Sequence, residues 1–267
     1  MLKKKYKSAK RATLIIAILL EIAVCVMAYL KFDILFIILP AAVFVIIALI
    51  FTHKLIAKIF RDKIEDCLYE DCDPDKYLFE FTTFYGYVKV EYNKNHFNIA
   101  KLKAYTAMGK MVEAFKIAEK IDMKKLNRNG IHKAEYNICM TALNIYSESY
   151  EKAEAYLNEL SKLKRKFFKK QEITVKHYRA ELLRHQGNLS RARALFTSLN
   201  LAKRNKMDLL SARLAIGYID KAEKFDDSAR KNFEIVAREA NRLYIRELAR
   251  NELKTLMNMA DIKVLQN

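Results

Sequence analysis

A ten-residue pattern that returns at a fixed interval constrains this chain most. Tyr105-Thr106-Ala107-Met108-Gly109-Lys110-Met111-Val112-Glu113-Ala114 aligns with Asn144-Ile145-Tyr146-Ser147-Glu148-Ser149-Tyr150-Glu151-Lys152-Ala153. Both align with Leu183-Arg184-His185-Gln186-Gly187-Asn188-Leu189-Ser190-Arg191-Ala192. The closing alanines stand 39 residues apart both times, and a weaker copy closes on Ala229, 37 further on, with Phe233 one turn later. In each copy an apolar helix reaches a small or polar turn residue, Gly109, Glu148 or Gly187. An apolar residue two further on, Met111, Tyr150 or Leu189, opens the next helix. The alanine three later lets the two helices approach closely. Such a hairpin cannot bury its apolar face alone, so neighbouring copies must stack.

Composition points the same way. The chain has 267 residues with only 5 Gly and 2 Pro, too few for a β-sandwich or a phosphate-binding α/β fold, so helix is expected almost throughout. Two apolar runs precede the repeats, Ala12 to Leu30 and Ile34 to Phe51, each long enough for a helix to cross a bilayer. Lys3, Lys4, Lys5, Lys7, Lys10 and Arg11 lie before the first run, and Lys54, Lys58, Arg61 and Lys63 after the second. Only Lys31 is basic in the turn between them. That asymmetry predicts a transmembrane hairpin with both termini cytoplasmic, in an integral membrane protein of a bacterial cell membrane. A signal peptide is disfavoured, because a second full-length run follows at once without a convincing cleavage site.

The repeats resemble the tetratricopeptide repeat. Tyr105, Gly109 and Ala114 match its pattern in the first copy, Tyr150 and Ala153 in the second, and Gly187, Ala192 and Phe196 in the third. The interval exceeds the usual ~34 residues of that family, and there is no Trp. The resemblance implies an all-α fold in which a transmembrane hairpin is followed by an α-solenoid of helix-turn-helix repeats. The expected organisation is a basic N-terminus and hairpin over 1–53, with spans 12–30 and 34–51. Juxtamembrane helices, as a divergent capping hairpin, fill 54–93. Repeats fill 94–240 and a capping helix 241–267. Asp73-Pro74 reads as an N-cap followed by Pro at the first helical position.

The net charge of +18 is unevenly spread. Glu65, Asp66, Glu70, Asp71, Asp73, Asp75, Glu80 and Glu91 make residues 64–92 acidic, whereas the repeats are basic. Basic residues cluster at Lys162, Lys164, Arg165, Lys166, Lys169 and Lys170, around Phe167 and Phe168. More charge stands there than complementing a helix dipole requires, which suits an edge meeting anionic lipid or an acidic partner.

Catalytic patterns are missing. Asp71, Asp73 and Asp75 alternate as in a calcium loop, but Lys76 and Thr82 stand where Gly and Glu are required. Cys67 and Cys72 fit no zinc spacing, and His53, His96, His132, His177 and His185 lie in no catalytic context. No enzyme, metal or cofactor is expected. Glu21, at the middle of the first run, is an intramembrane carboxylate on this reading, more simply a protonated, locally bonded one than an ion path. In the tetratricopeptide family the first helices line a concave face. Carrying the register over from each closing alanine places Lys103, Ile138, Tyr146, His177, Glu181, Arg184, Tyr218 and Lys221 on it. The function implied is a membrane-anchored, cytosol-facing scaffold that recruits a protein or peptide partner through its repeats. The alternative is an accessory subunit of a membrane transport or secretion complex. No nucleic-acid-reading motif is present.

Overall fold

The structure, a computed structural model, describes residues 62–88, 94–126, 130–163, 165–199 and 205–265, with scattered positions between 14 and 50. Its regular structure is all helix, with no strand among the described residues. Among the described residues, eleven helices follow one another from residue 74 onward. They are α1 (Pro74–Val88), α2 (Lys94–Ala107), α3 (Met111–Glu119), α4 (Met123–Leu126), α5 (Gly130–Tyr146) and α6 (Tyr150–Ser161). Then come α7 (Arg165–His185), α8 (Leu189–Ser198), α9 (Lys206–Ala222), α10 (Asp226–Glu239) and α11 (Tyr244–Leu265). Residues 62–69 are helical too. The chain divides into two compact units, residues 1–65 with 83–88, and residues 66–82 with 89–267.

In the second unit, four hairpins share one turn. Gly109, Glu148, Gly187 and Lys224 have φ of 72°, 57°, 78° and 65°. After each, a backbone N–H reaches the carbonyl five residues back: Lys110 to Tyr105 at 2.9 Å, Ser149 to Asn144 at 2.7 Å, Asn188 to Leu183 at 2.8 Å and Phe225 to Asp220 at 2.8 Å. This left-handed closure ends a helix while satisfying its last carbonyls. Glycine adopts it without strain at two of the four places, and Glu148 and Lys224 adopt it at a cost. Five residues past each turn stand Ala114, Ala153, Ala192 and Ala229, all fully buried where paired helices touch. One helical turn further, Ala118, Leu157, Phe196 and Phe233 are buried. Phe196 and Phe233 are completely enclosed, each contributing roughly 2–3 kcal/mol by burial.

Cys72 repeats the conformation, with φ of 53°, and Tyr77 and Phe81 occupy the corresponding buried places. Asp73 caps α1, accepting from the Lys76 N–H at 2.9 Å. The first helices of successive hairpins are neighbours: α2 packs on α5, α5 on α7, α7 on α9 and α9 on α11. Polar clips fix the order. Asn95 accepts from the Asp122 N–H and donates to the Asp122 carbonyl, both at 2.8 Å, tying the start of α2 to the turn after α3. Asp220, 2 % exposed, accepts from Arg193 at 2.6 Å, Ser228 at 2.7 Å and Asn232 at 3.0 Å, joining α8, α9 and α10.

The membrane expectation is corrected. Among the described residues no helix is long and apolar enough to cross a membrane. The transmembrane hairpin, the integral-membrane location with cytoplasmic termini and the intramembrane place of Glu21 therefore do not stand. Most of spans 12–30 and 34–51 lies outside the described residues. Those that are described, among them Leu14, Ile18, Glu21, Ile22, Cys25, Ile46 and Ile50, are helical and exposed. The physical reason is that an unbroken apolar run reports avoidance of water, not what covers it. Both runs lie at the short end of what a span requires, and Glu21 interrupts the first.

Candidate functional site

The first helices of the hairpins carry polar and aromatic side chains that gather into two clusters. In the first, the Lys103 ammonium on α2 lies 3.7 Å from Glu135 Oε1 on α5, with its Nζ over the rings of Tyr69 and Tyr77 at 5.2 and 5.6 Å. Glu135 Oε2 is 3.0 Å from His132 Nδ1, and His132 Nε2 is 3.0 Å from His96 Nδ1. One imidazole of that pair donates and the other accepts. Burial opposes the Glu135 charge, but the Lys103 ammonium and the His132 hydrogen bond outweigh it and hold the carboxyl down to about 2. The cluster therefore keeps an ion pair between buried Lys103 and half-buried Glu135, with a hydrogen-bond chain through His132 to His96.

The second cluster lies nearer the hairpin turns. Arg184 on α7 bonds Glu181 one turn earlier at 3.0 Å, and its guanidinium stacks over the Tyr218 ring of α9 at 4.8 Å. Arg184 also donates to His185 Nε2 at 2.6 Å, and the His185 ring stacks on Tyr150 at 4.4 Å. Burial raises the Glu181 carboxyl, with Arg184 pulling the other way. Burial pushes the Tyr218 hydroxyl up to about 12 and raises that of Tyr146 as well. His185 is pushed down to about 4, first by burial and then by Arg184. Tyr146, at the end of α5, meets the ring of Tyr244 edge-on at 5.6 Å. Tyr244 begins α11 and also lies against Gly109, where a Cβ would collide with the ring.

The structure separates the residues expected from the sequence. Glu181, Arg184 and Tyr218 come together, and Tyr146 packs its ring against Tyr244. Lys103 belongs to the other cluster. Lys221 reaches Glu252 on α11. His177 is buried, its ring against Phe196 and Tyr178 at 5.4 Å each, so it is a core residue. Ile138 is half-buried and packs against the core cluster that includes Leu157 and Val175. Asp71, Asp73 and Asp75 are structural: Asp71 pairs with Lys76 at 2.6 Å, Asp73 caps α1, and Asp75 lies 3.5 Å from Arg242. Lys162 pairs with Glu159. The side chains of Lys164, Arg165, Lys166, Lys169 and Lys170 lie outside the described residues.

Sequence spacing does not supply His96, His132, Glu135, Tyr244 or Glu252. The His132 and Glu135 pair, three apart on one helix, is a readable signal. Tyr244 and Glu252 have none, because both come from the helix that follows the last hairpin.

Comparison with protein families, with curated proteins and with solved structures gives no match. The resemblance to tetratricopeptide repeats, with or without an N-terminal membrane hairpin, is corrected accordingly. Its matching positions have a simpler origin. A left-handed turn residue ends the first helix of a hairpin, and a small residue is needed where the two helices cross. Any tightly packed helical hairpin converges on those residues.

Proposed function

We propose that this chain is an interaction scaffold that holds a protein or peptide partner on the inner face of a solenoid of helical hairpins. One observation carries the proposal. Arg184 is stacked on Tyr218 and bonded to Glu181 across two successive hairpins, and the side chains of Arg184 and Glu181 keep 16 % and 13 % exposure. A pre-positioned guanidinium over an aromatic ring offers a partner directed hydrogen bonds and a flat apolar surface with little entropy left to lose. Hairpin arrays present extended inner faces of this kind to peptides. On this proposal the chain carries out no reaction of its own.

A photo-crosslinking residue placed at Tyr218 in the full-length chain tests it, with Asn158 on the exposed side of α6 as the control position. One partner should be captured at position 218 and not at 158, and Arg184→Ala should abolish the capture. Equal capture at both positions, or capture indifferent to Arg184, would overturn the assignment.

A further inference from the structure

A segment of the same chain lies on Gly109 and Tyr146, at the turn end of the hairpins. The turn between α10 and α11 lies on the turn before α1. Asn241 Nδ2 donates to the Asp71 carbonyl at 3.0 Å, and the Arg242 N–H donates to the Cys72 carbonyl at 3.2 Å. The Arg242 guanidinium lies 3.5 Å from Asp75 and 4.0 Å from Asp73. These side-chain contacts are exposed, and exposed ion pairs hold little. What they position is not exposed to the same degree. Leu243 and Ile245 are buried, and between them Tyr244 seats its ring on Gly109 and against Tyr146. Gly109 has φ of 72° and no side chain, so the seat has the depth of a missing Cβ.

We infer that residues 241–244 are an autoinhibitory latch. A weak polar clasp on the Asp71–Asp75 turn holds an aromatic plug in the seat formed by Gly109 and Tyr146. Release of the clasp uncovers that seat, next to Tyr146. The plug also shows what the seat accepts. It is a peptide segment with an aromatic residue two positions after an arginine, as Arg242 and Tyr244 are arranged. The partner class follows from that chemistry: a segment that places its own aromatic ring on Gly109 and its own cation beside Asp73 and Asp75. This deepens the scaffold proposal and rests on it for the identity of the occupied face.

The latch itself is read without any partner. Asn241→Gly keeps the left-handed turn, where Asn241 has φ of 44°, and deletes its bond to Asp71; Arg242→Ala deletes the cation. In the full-length double variant, hydrogen–deuterium exchange should rise at least tenfold at residues 105–111 and 244–248 and stay unchanged around Asp220. A fluorescent peptide of residues 238–248 should then bind the double variant at least tenfold more tightly than the unaltered chain. Its Tyr244→Ala version should not bind. Unchanged exchange at 105–111 and 244–248 would overturn the latch, whatever the peptide does. Exchange rising throughout the chain would also overturn it, because the clasp would then be part of the general fold. Local opening without peptide binding would overturn the seat as an aromatic-binding site. A failure to capture a partner at position 218 would count against the scaffold proposal alone and leave the exchange result standing.

Discussion

Tyr244 rests on Gly109, from the opposite end of the hairpin series, at a separation that leaves no room for a Cβ. Gly187 sits in the same left-handed turn with nothing within 4 Å of where its Cβ would be. The pair separates backbone strain from packing. Gly187→Ala should cost only about 1–2 kcal/mol, the left-handed penalty of a single L-residue. Gly109→Ala should cost roughly 1–3 kcal/mol more, because Tyr244 must shift. Urea unfolding of both variants measures the difference, and Tyr244→Ala in the Gly109→Ala background should abolish it.

Glu135 predicts a pH dependence. Its folded pKa, about 2, lies below the ordinary value of 4.5, so its stabilisation is present above that value and lost as pH falls through the folded one. A shift of that size corresponds to a stabilisation on the order of 3 kcal/mol. Glu135→Gln should therefore lower unfolding free energy at pH 7 and lose most of that deficit as pH falls towards about 2. Parallel stability curves across that range would contradict the Lys103 and His132 pairing.

His185 should act at higher pH. Its folded pKa of about 4 lies below 6.5, so the neutral form is favoured in the fold and stability drains as pH falls from 6.5 towards 4. His185→Phe can keep the stack on Tyr150 and carries no proton. The stability loss over that interval should shrink in the variant, as followed by chemical denaturation at fixed pH steps.

Ala153 is fully buried where α5 and α6 touch. Ala153→Arg should prevent folding, because an unpaired buried charge is expensive, whereas Ala153→Gly should cost roughly 1 kcal/mol. Circular dichroism with thermal melting distinguishes the two. A folded Ala153→Arg protein would mean that the hairpin does not close there.

Asp220, on α9, holds three donors from two other helices, α8 and α10. Asp220→Ala should destabilise the chain by about 1–3 kcal/mol, since Ser228 and Asn232 lose their buried acceptor and Arg193 keeps only its pairing with Glu223. Hydrogen exchange should report the loss first in α8 to α10.

The hairpins are legible in the sequence because their determinants are local. Ala114, Ala153, Ala192 and Ala229 mark the points of closest approach, and the turn residue always stands five positions earlier. The turn at Cys72 is hidden because Tyr77 stands where the others have alanine. Register also brings Arg184, Glu181 and Tyr218 together. It cannot supply Tyr244 or Glu252, which meet their partners only after helices far apart in sequence have packed; of Glu135 only its local pairing with His132 is readable. The apolar runs before residue 52 show the opposite failure, since hydropathy constrains the solvent they avoid without specifying the neighbour they find.

The clasp between Asp71 and Asn241 has a consequence for how such a chain can change in length. An open array grows or shrinks by whole hairpins with little effect on the rest, because each unit meets only its neighbours. Here the turns at Cys72 and Asn241 meet, so adding or deleting one hairpin between them would carry Tyr244 past Gly109. Duplication, the ordinary route by which arrays lengthen, is closed to this one unless both ends are rebuilt together.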